Sequence, residues 1–125
     1  MTIPSGSGTE VIKHLHSAGV DNATWRDLIG TQGSGTTSDH IYTIISIIVC
    51  ERAGLSDALF ELYLDPDAGG SDMAIADNVP VPSSGTFVWT DRFSITGTDK
   101  LHIKGKSAGG NADFNVWCTY IDQHI

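Results

Sequence analysis

The sequence predicts an all-β protein, namely an antiparallel β-sandwich of seven to eight strands with an extended N-terminal arm. Seven of the eleven residues in the stretch 40–50 (HIYTIISIIVC) are β-branched, which favours an extended backbone. Fourteen glycines and only 18% charged residues are typical of a turn-rich β protein. Short apolar segments alternate with Gly, Ser, Asn and Asp turns along the chain. Both a jelly-roll and an immunoglobulin-like topology fit, because periodicity does not encode strand order.

The stretch 40–50 is the expected centre of the fold. Both of its alternating faces are mainly apolar, which predicts a central strand covered on both sides. It is too short to span a membrane, which needs about 20 apolar residues. Its apolar positions also lack the 3.6-residue period of an amphipathic helix. Ile45→Asp is therefore expected to prevent folding by burying an unpaired charge.

The remaining elements follow from alternation and turn chemistry. Residues 1–8 are an arm rich in Gly and Ser, and residues 9–125 form a single domain without an internal repeat. Other strands are predicted at 9–16, 24–29 (a returning strand), 58–64, 73–81, 85–93, 101–104 and 113–121. Turns are predicted at 19–22 and, as a longer polar loop, at 30–39. Pro80 indicates that the strand 73–81 lies at a sheet edge.

The composition limits the partners. A formal net charge of −8 disfavours nucleic acid and anionic membranes, because phosphate binding needs clustered Lys and Arg. The first eight residues lack the basic and apolar regions of a signal peptide, so we expect synthesis and assembly in a cytoplasm. In that compartment cysteines are usually reduced.

Cys50 and Cys118 lie in the two strands with the most apolar sequences. They could form an inter-sheet disulfide like that of immunoglobulin domains, but the Trp expected between them, within residues 58–64, is absent. The alternative is a pair of small buried apolar side chains with free thiols.

Asp65, Asp67 and Asp72 offer three carboxylates for Ca²⁺. The first two have the spacing that opens an EF-hand loop, but Ala76 occupies the position of the closing Glu. A solvated turn is the alternative interpretation.

The five histidines give no recognisable catalytic or metal motif. His14 and His16 are two residues apart, so on a strand they share a face and could form a zinc pair, although no third ligand is evident. His40 beside Asp39 has no Ser or Cys in a nucleophile motif, His102 shares a polar face with Lys104, and His124 is near the C-terminus. All five histidines are therefore expected to be exposed.

Three tryptophans could form a carbohydrate platform if they were exposed together. Trp89 shares its strand parity with Phe87 and is expected to pack inside, whereas Trp25 and Trp117 are undecided. The glycine-rich stretch 30–37 lacks the Lys of a phosphate loop. We therefore assign no catalytic, cofactor-binding or metal-binding residues, and we predict that the protein is not an enzyme and needs no cofactor.

Several segments resemble small structural proteins of tailed bacteriophages, in particular phages of marine bacteria. They are the segments 5–13, 39–51, 60–65, 85–93, 99–101 and 116–122. The resemblance implies a β-sandwich virion component without enzymatic activity, and it carries over no functional site residues.

Two structural roles and two others follow as hypotheses. The first is a capsid decoration (cement) protein that bridges major capsid proteins, forms a homo-oligomer, specifically a trimer, and attaches partly through the arm 1–8. The second is a tail, collar or fibre component. The third is a glycan-binding module for host attachment, and the fourth a small β-sandwich enzyme.

Overall fold

The computed structural model describes residues 9–21, 24–29, 40–54, 58–66, 69, 71–96, 98–107 and 112–124. The predicted arm 1–8 and the predicted loop 30–39 lie outside the described residues. Within the described part of the chain, no helix is long and apolar enough to cross a membrane.

The described residues form nine β-strands in two antiparallel sheets. The strands are β1 (Thr9–Val20), β2 (Arg26–Ile29), β3 (His40–Glu51), β4 (Ala58–Asp65), β5 (Met73–Pro80), β6 (Thr86–Trp89), β7 (Phe93–Thr96), β8 (Lys100–Ser107) and β9 (Phe114–His124). The first sheet has the order β1-β9-β3-β6, and β7 also pairs with β3. The second sheet has the order β2-β8-β4-β5. The predicted β-sandwich is therefore confirmed.

The strand order is that of a jelly roll. β6 pairs with the C-terminal half of β3 and β7 with its N-terminal half, so the two short strands share one position beside β3. Each sheet then has four positions, and the first and last strands of the chain are neighbours in one sheet. An immunoglobulin-like sandwich would place the first two strands in the same sheet, whereas β1 and β2 lie in different sheets. The jelly roll is thus the topology that the sequence left open.

Several predicted elements need correction. The single strand expected at 85–93 is broken after Trp89, whose indole N–H donates a hydrogen bond to the Asp91 carbonyl (2.8 Å). The strand expected to return beside β1 is β2, and it pairs with β8 in the other sheet. β1 extends beyond its predicted end at His16 to Val20, so it includes the first two residues of the turn predicted at 19–22, and its register shifts between Ser17 and Val20. The edge position predicted for β5 is confirmed, since among the described residues it pairs with β4 alone.

The core lies between the two sheets. Its largest fully buried side chains include Phe60, Phe114, Leu28 and Ile44, which come from both sheets. The core is tightly packed at Gly105 of β8, where an added Cβ would lie 2.7 Å from the Cβ of Ala112 and 3.0 Å from the ring of Phe114 in the other sheet. Only glycine fits this position.

The strand β3 is central in its sheet, but it is covered on one face only. It pairs with β9 on one side and with β6 and β7 on the other. Its register with β9 shifts between Ile44 and Ser46, so the inward residues are Tyr42 and Ile44 before the shift and Ile47 and Val49 after it. The expectation that both faces are covered was therefore wrong. A β-bulge changes which face each residue occupies.

The carboxylate of Glu51 closes the end of β3. It is buried, and it accepts hydrogen bonds from the backbone N–H groups of Ala53 (2.7 Å), Gly54 (2.9 Å) and Ser84 (2.8 Å). One side chain thus joins the turn after β3 to the turn before β6.

Candidate functional site

The outward face of the first sheet is an array of uncharged side chains, which we call the neutral face. Its members come from five strands, and cross-strand register places them in rows. They are Ile12, His14 and His16 of β1; Asn115, Trp117, Thr119 and Ile121 of β9; Thr43, Ser46, Ile48 and Cys50 of β3; Thr86 and Val88 of β6; and Ser94 of β7. The next row, Glu10, Gln123, Ile41 and Thr96, ends the array and holds one carboxylate at a corner.

The outward face of the second sheet has the opposite character. Asp27, Glu61, Lys100, Lys104 and Lys106 are placed on it by the pairing of β2 and β4 with β8. Lys100 lies 3.8 Å from Asp27 and Lys106 lies 3.9 Å from Glu61, measured between side-chain N and O atoms. We call this the charged face. One outward face of the sandwich carries charged side chains, and the other carries uncharged ones.

Large apolar side chains on the neutral face are open to solvent. The exposed fractions are 70% for Ile12, 52% for Val88, 43% for Trp117 and 38% for Ile48. Such side chains are usually buried or scattered singly, and a contiguous group of them marks an interaction surface.

A shallow depression of about 250 Å³ lies on the same face. Its lining includes His16 of β1, Trp117 of β9, and Ile48 and Cys50 of β3. Three neighbouring strands therefore form its walls.

The two histidines of β1 pack against Trp117. The ring centroids of His14 and Trp117 are 4.2 Å apart, those of His16 and Trp117 are 5.5 Å apart, and all three rings are stacked. The prediction that His14 and His16 share a face is confirmed. Among the described residues no group of three His, Cys, Asp or Glu side chains could hold a metal ion.

The three tryptophans do not form a platform. Trp25 stacks on His102 (4.3 Å between centroids) on the outer side of the second sheet, with the Lys104 ammonium 5.0 Å from its ring centre. Trp89 packs against the core, as predicted, and Trp117 is on the neutral face. A shared carbohydrate platform of these three residues is therefore ruled out by the fold.

The two cysteines are free and lie on opposite faces of the first sheet. Cys118 is buried between the sheets, and its burial raises its pKa to about 12. Cys50 is half-buried and lines the depression on the neutral face. An inter-sheet disulfide is incompatible with this placement, and the alternative of two buried thiols holds for Cys118 only.

The expectation of exposed histidines was wrong for His102 and His40. His102 is only 5% exposed beneath Trp25, and its Nε2 lies 3.3 Å from an Asp72 carboxylate oxygen without hydrogen-bond geometry. His40 is partly buried at the start of β3 and forms a 2.7 Å hydrogen bond with Asp122.

Asp122 is the centre of a polar cluster that sequence reasoning missed. Lys13 donates a 2.7 Å hydrogen bond to one carboxylate oxygen, and His40 is 2.7 Å from the other. Burial of Asp122 acts to raise the pKa of this carboxyl, but the hydrogen bonds from Lys13 and His40 outweigh it and lower the pKa below the ordinary 3.8. The hydrogen bond to Asp122 in turn raises the pKa of Lys13. Residues 13, 40 and 122 meet only through the pairing of β1, β9 and β3.

The proposed Ca²⁺ ligands are only partly described. Asp65 is buried at the end of β4, and Asp72 faces His102. Asp67 lies outside the described residues, so a calcium site at these three positions stays a prediction.

Comparison with known proteins relates the chain to virus structures by fold. No family model and no curated protein matches the sequence. The solved structure of infectious bursal disease virus, Gx strain, matches 94% of this chain and 32% of that chain, with a TM-score of 0.55 and 10% sequence identity. A mutant VP2 protein of infectious bursal disease virus, in T=1 particles, matches the same shares at 12% identity with a TM-score of 0.49. The chain thus spans about a third of the solved chains that it matches, and the likeness is one of fold.

Proposed function

We propose that the protein is a non-enzymatic structural component of a virion, and more specifically a bacteriophage capsid decoration (cement) protein that bridges major capsid proteins. The observation that carries this proposal is the neutral face, which lies opposite a charged face on the same small sandwich. Such a domain is suited to contact with other proteins on one side and to water on the other. Its location is then the virion, assembled in the host cytoplasm.

The fold supports the proposal. Jelly rolls occur in viral capsid proteins and in lectins. The likeness to the infectious bursal disease virus structure supports the capsid branch of this pair, and the segments that resemble phage structural proteins favour a bacteriophage.

The partners that this role implies are the major capsid protein or other virion proteins, and further copies of the chain. The homo-oligomeric state, predicted from sequence as a trimer, stays a prediction. We assign no nucleic-acid or membrane partner, because the net charge is −8 and the lysines of the charged face lie among carboxylates.

The copy number of the protein in purified particles tests this role. Quantitative mass spectrometry should give a ratio to the major capsid protein near one, since a decoration protein covers the whole shell. A ratio of about a few per cent would place the protein in a tail, collar or fibre instead. Its absence from washed particles would contradict a virion role altogether.

A glycan-binding attachment module is the second candidate, and one observation favours it. Trp117 is exposed beside the depression, and an aromatic ring next to a shallow depression can stack on a sugar ring. Titration with host surface glycans tests it: binding that Trp117→Ala abolishes would support this candidate, and no binding at millimolar glycan would exclude it.

A further inference from the structure

We propose that the neutral face is the contact between two copies of this chain, packed sheet against sheet. This proposal deepens the structural role, because it names the partner of the neutral face. It rests on the proposed virion function only for its biological setting. Its test needs purified protein and no particle, so it can fail while the virion role stands.

The size of the face fits a weak contact. Four neighbouring strand positions about 4.8 Å apart, with a rise of about 3.3 Å per residue over the residues from Asn115 to Ile121, give a flat area of roughly 440 Å² per copy. Two copies together would bury about 900 Å², which is below the roughly 1,200 Å² of stable specific interfaces and within the range of weak, transient ones. A weak, concentration-dependent dimer is therefore the expected state.

Charge favours a second copy over an oppositely charged partner. Two chains that each carry a net charge of −8 repel each other, and the neutral face is the surface on which they can meet with least added repulsion. A strongly charged partner would find no counter-charge there. The face shows hydroxyl and amide groups instead, such as Thr43, Thr119 and Asn115, which both donate and accept hydrogen bonds and so can pair with their own copies.

The row through the middle of the face is complementary to itself. It runs His16, Trp117, Ile48 and Val88 across β1, β9, β3 and β6. We place a two-fold axis parallel to the strands, between β9 and β3. It packs this row against the same row of the second copy, with the strand order reversed. Trp117 of each chain then covers Ile48 of the other, and the protruding Val88 meets the depression beside His16. Such an isologous contact closes as a dimer, so the pairing proposed here is an alternative to the trimer predicted from the sequence.

Sedimentation velocity over about 5 to 200 µM tests the pairing. The wild-type chain should shift from monomer to dimer with concentration. Trp117→Lys and Val88→Lys should each weaken dimerisation on the order of 100-fold or more, because the contact would then bury one unpaired charge per copy. Met73→Lys is the matched control: Met73 is 59% exposed on β5 of the second sheet, and its variant should dimerise like wild type.

Cys50 provides a second readout that needs no substitution. It lies on the neutral face, whereas Cys118 is buried with a raised pKa and should react little with a maleimide at neutral pH. Labelling of Cys50 should slow as the protein concentration rises through the dimerisation range.

Three outcomes would overturn the proposal. They are a wild-type chain that stays monomeric at 200 µM, a trimer, and a dimer that persists in both lysine variants while Cys50 labels at an unchanged rate. Val88 is half exposed on a short edge strand, so Val88→Lys should fold like wild type. The test therefore remains valid even if Trp117→Lys has a lower melting temperature than wild type.

Discussion

Asp122 shows how one residue depends on partners that are distant in sequence. Its carboxylate is bound by Lys13 from β1 and by His40 from β3, although 109 and 82 positions separate these residues from it. Both hydrogen bonds favour the ionised carboxylate, which is why its pKa is lowered despite its burial. The cluster therefore joins three strands at one end of the first sheet.

Replacing the Asp122 carboxylate should lower the free energy of unfolding by an amount that depends on pH. Asp122→Asn removes two charge-assisted hydrogen bonds, and we expect a loss of about 1–3 kcal/mol near pH 5, moderated because Lys13 is half exposed. A carboxyl with a lowered pKa stabilises the fold fully above its ordinary pKa, and that stability is lost as the pH falls through the lowered value. The difference between wild type and variant in urea unfolding should therefore shrink below pH 3.8.

Asp91→Asn is the matched control, because Asp91 is exposed between β6 and β7. Its effect on the free energy of unfolding should stay within about 0.5 kcal/mol at every pH. A difference for Asp122→Asn that persisted unchanged at pH 2 would contradict the ionic explanation.

At the level of the strand, the bulge in β3 decides which isoleucines are buried. Ile44 faces the core and is fully buried, whereas Ile45 is at the register shift and is half-buried. Strict alternation would have put Ile45 on the same face as Ile47 and Val49, which are buried. The earlier expectation for Ile45→Asp therefore applies to Ile44.

The two aspartate variants should differ sharply. Ile44→Asp buries an unpaired charge among apolar side chains and should cost more than about 4 kcal/mol, enough to prevent cooperative folding. Ile45→Asp should remain folded with a loss of about 1–2 kcal/mol. Thermal unfolding followed by circular dichroism separates them, and equal melting of the two variants would show that the bulge is misplaced.

The sequence shows where strands begin and end better than which face they bury. Pro80 and the surrounding turn residues were sufficient to place β5 at an edge. In β3, however, both alternating sets of positions are mainly β-branched and apolar. The pattern of polar and apolar residues therefore predicts neither which face is buried nor where the bulge lies. The break between β6 and β7 was missed for a similar reason, because Trp89 and Phe93 have the same parity on one apparent strand.

At the level of the whole molecule, the separation of a neutral face from a charged face was the least predictable feature. The residues of the neutral face are spread over the sequence from Ile12 to Ile121, and only the strand order brings them together. The sequence contains one sign of the neutral face. On β3 and β9, whose inward faces are buried, the outward positions such as Thr119, Ser46 and Trp117 are also uncharged. Without the register, those positions could not be separated from core positions.

The arm 1–8 gives a prediction for the assembled particle. It precedes β1, which lies at the edge of the first sheet. Deleting residues 1–8 should leave the melting temperature within about 2 °C of wild type, since the core is formed by later residues, but it should lower occupancy on particles. Occupancy is measured as the ratio to the major capsid protein, and an unchanged ratio would show that the arm plays no part in attachment.

The histidines stacked on Trp117 prepare the neutral face for contact before any partner arrives. The ring centroids of His14 and His16 lie 4.2 Å and 5.5 Å from that of Trp117, so the indole already has neighbours on its own sheet. A side chain that is held in place in the free chain loses little conformational freedom when a partner covers it. The stack thus preorganises the centre of the neutral face, and its contribution to pairing is a smaller entropic cost.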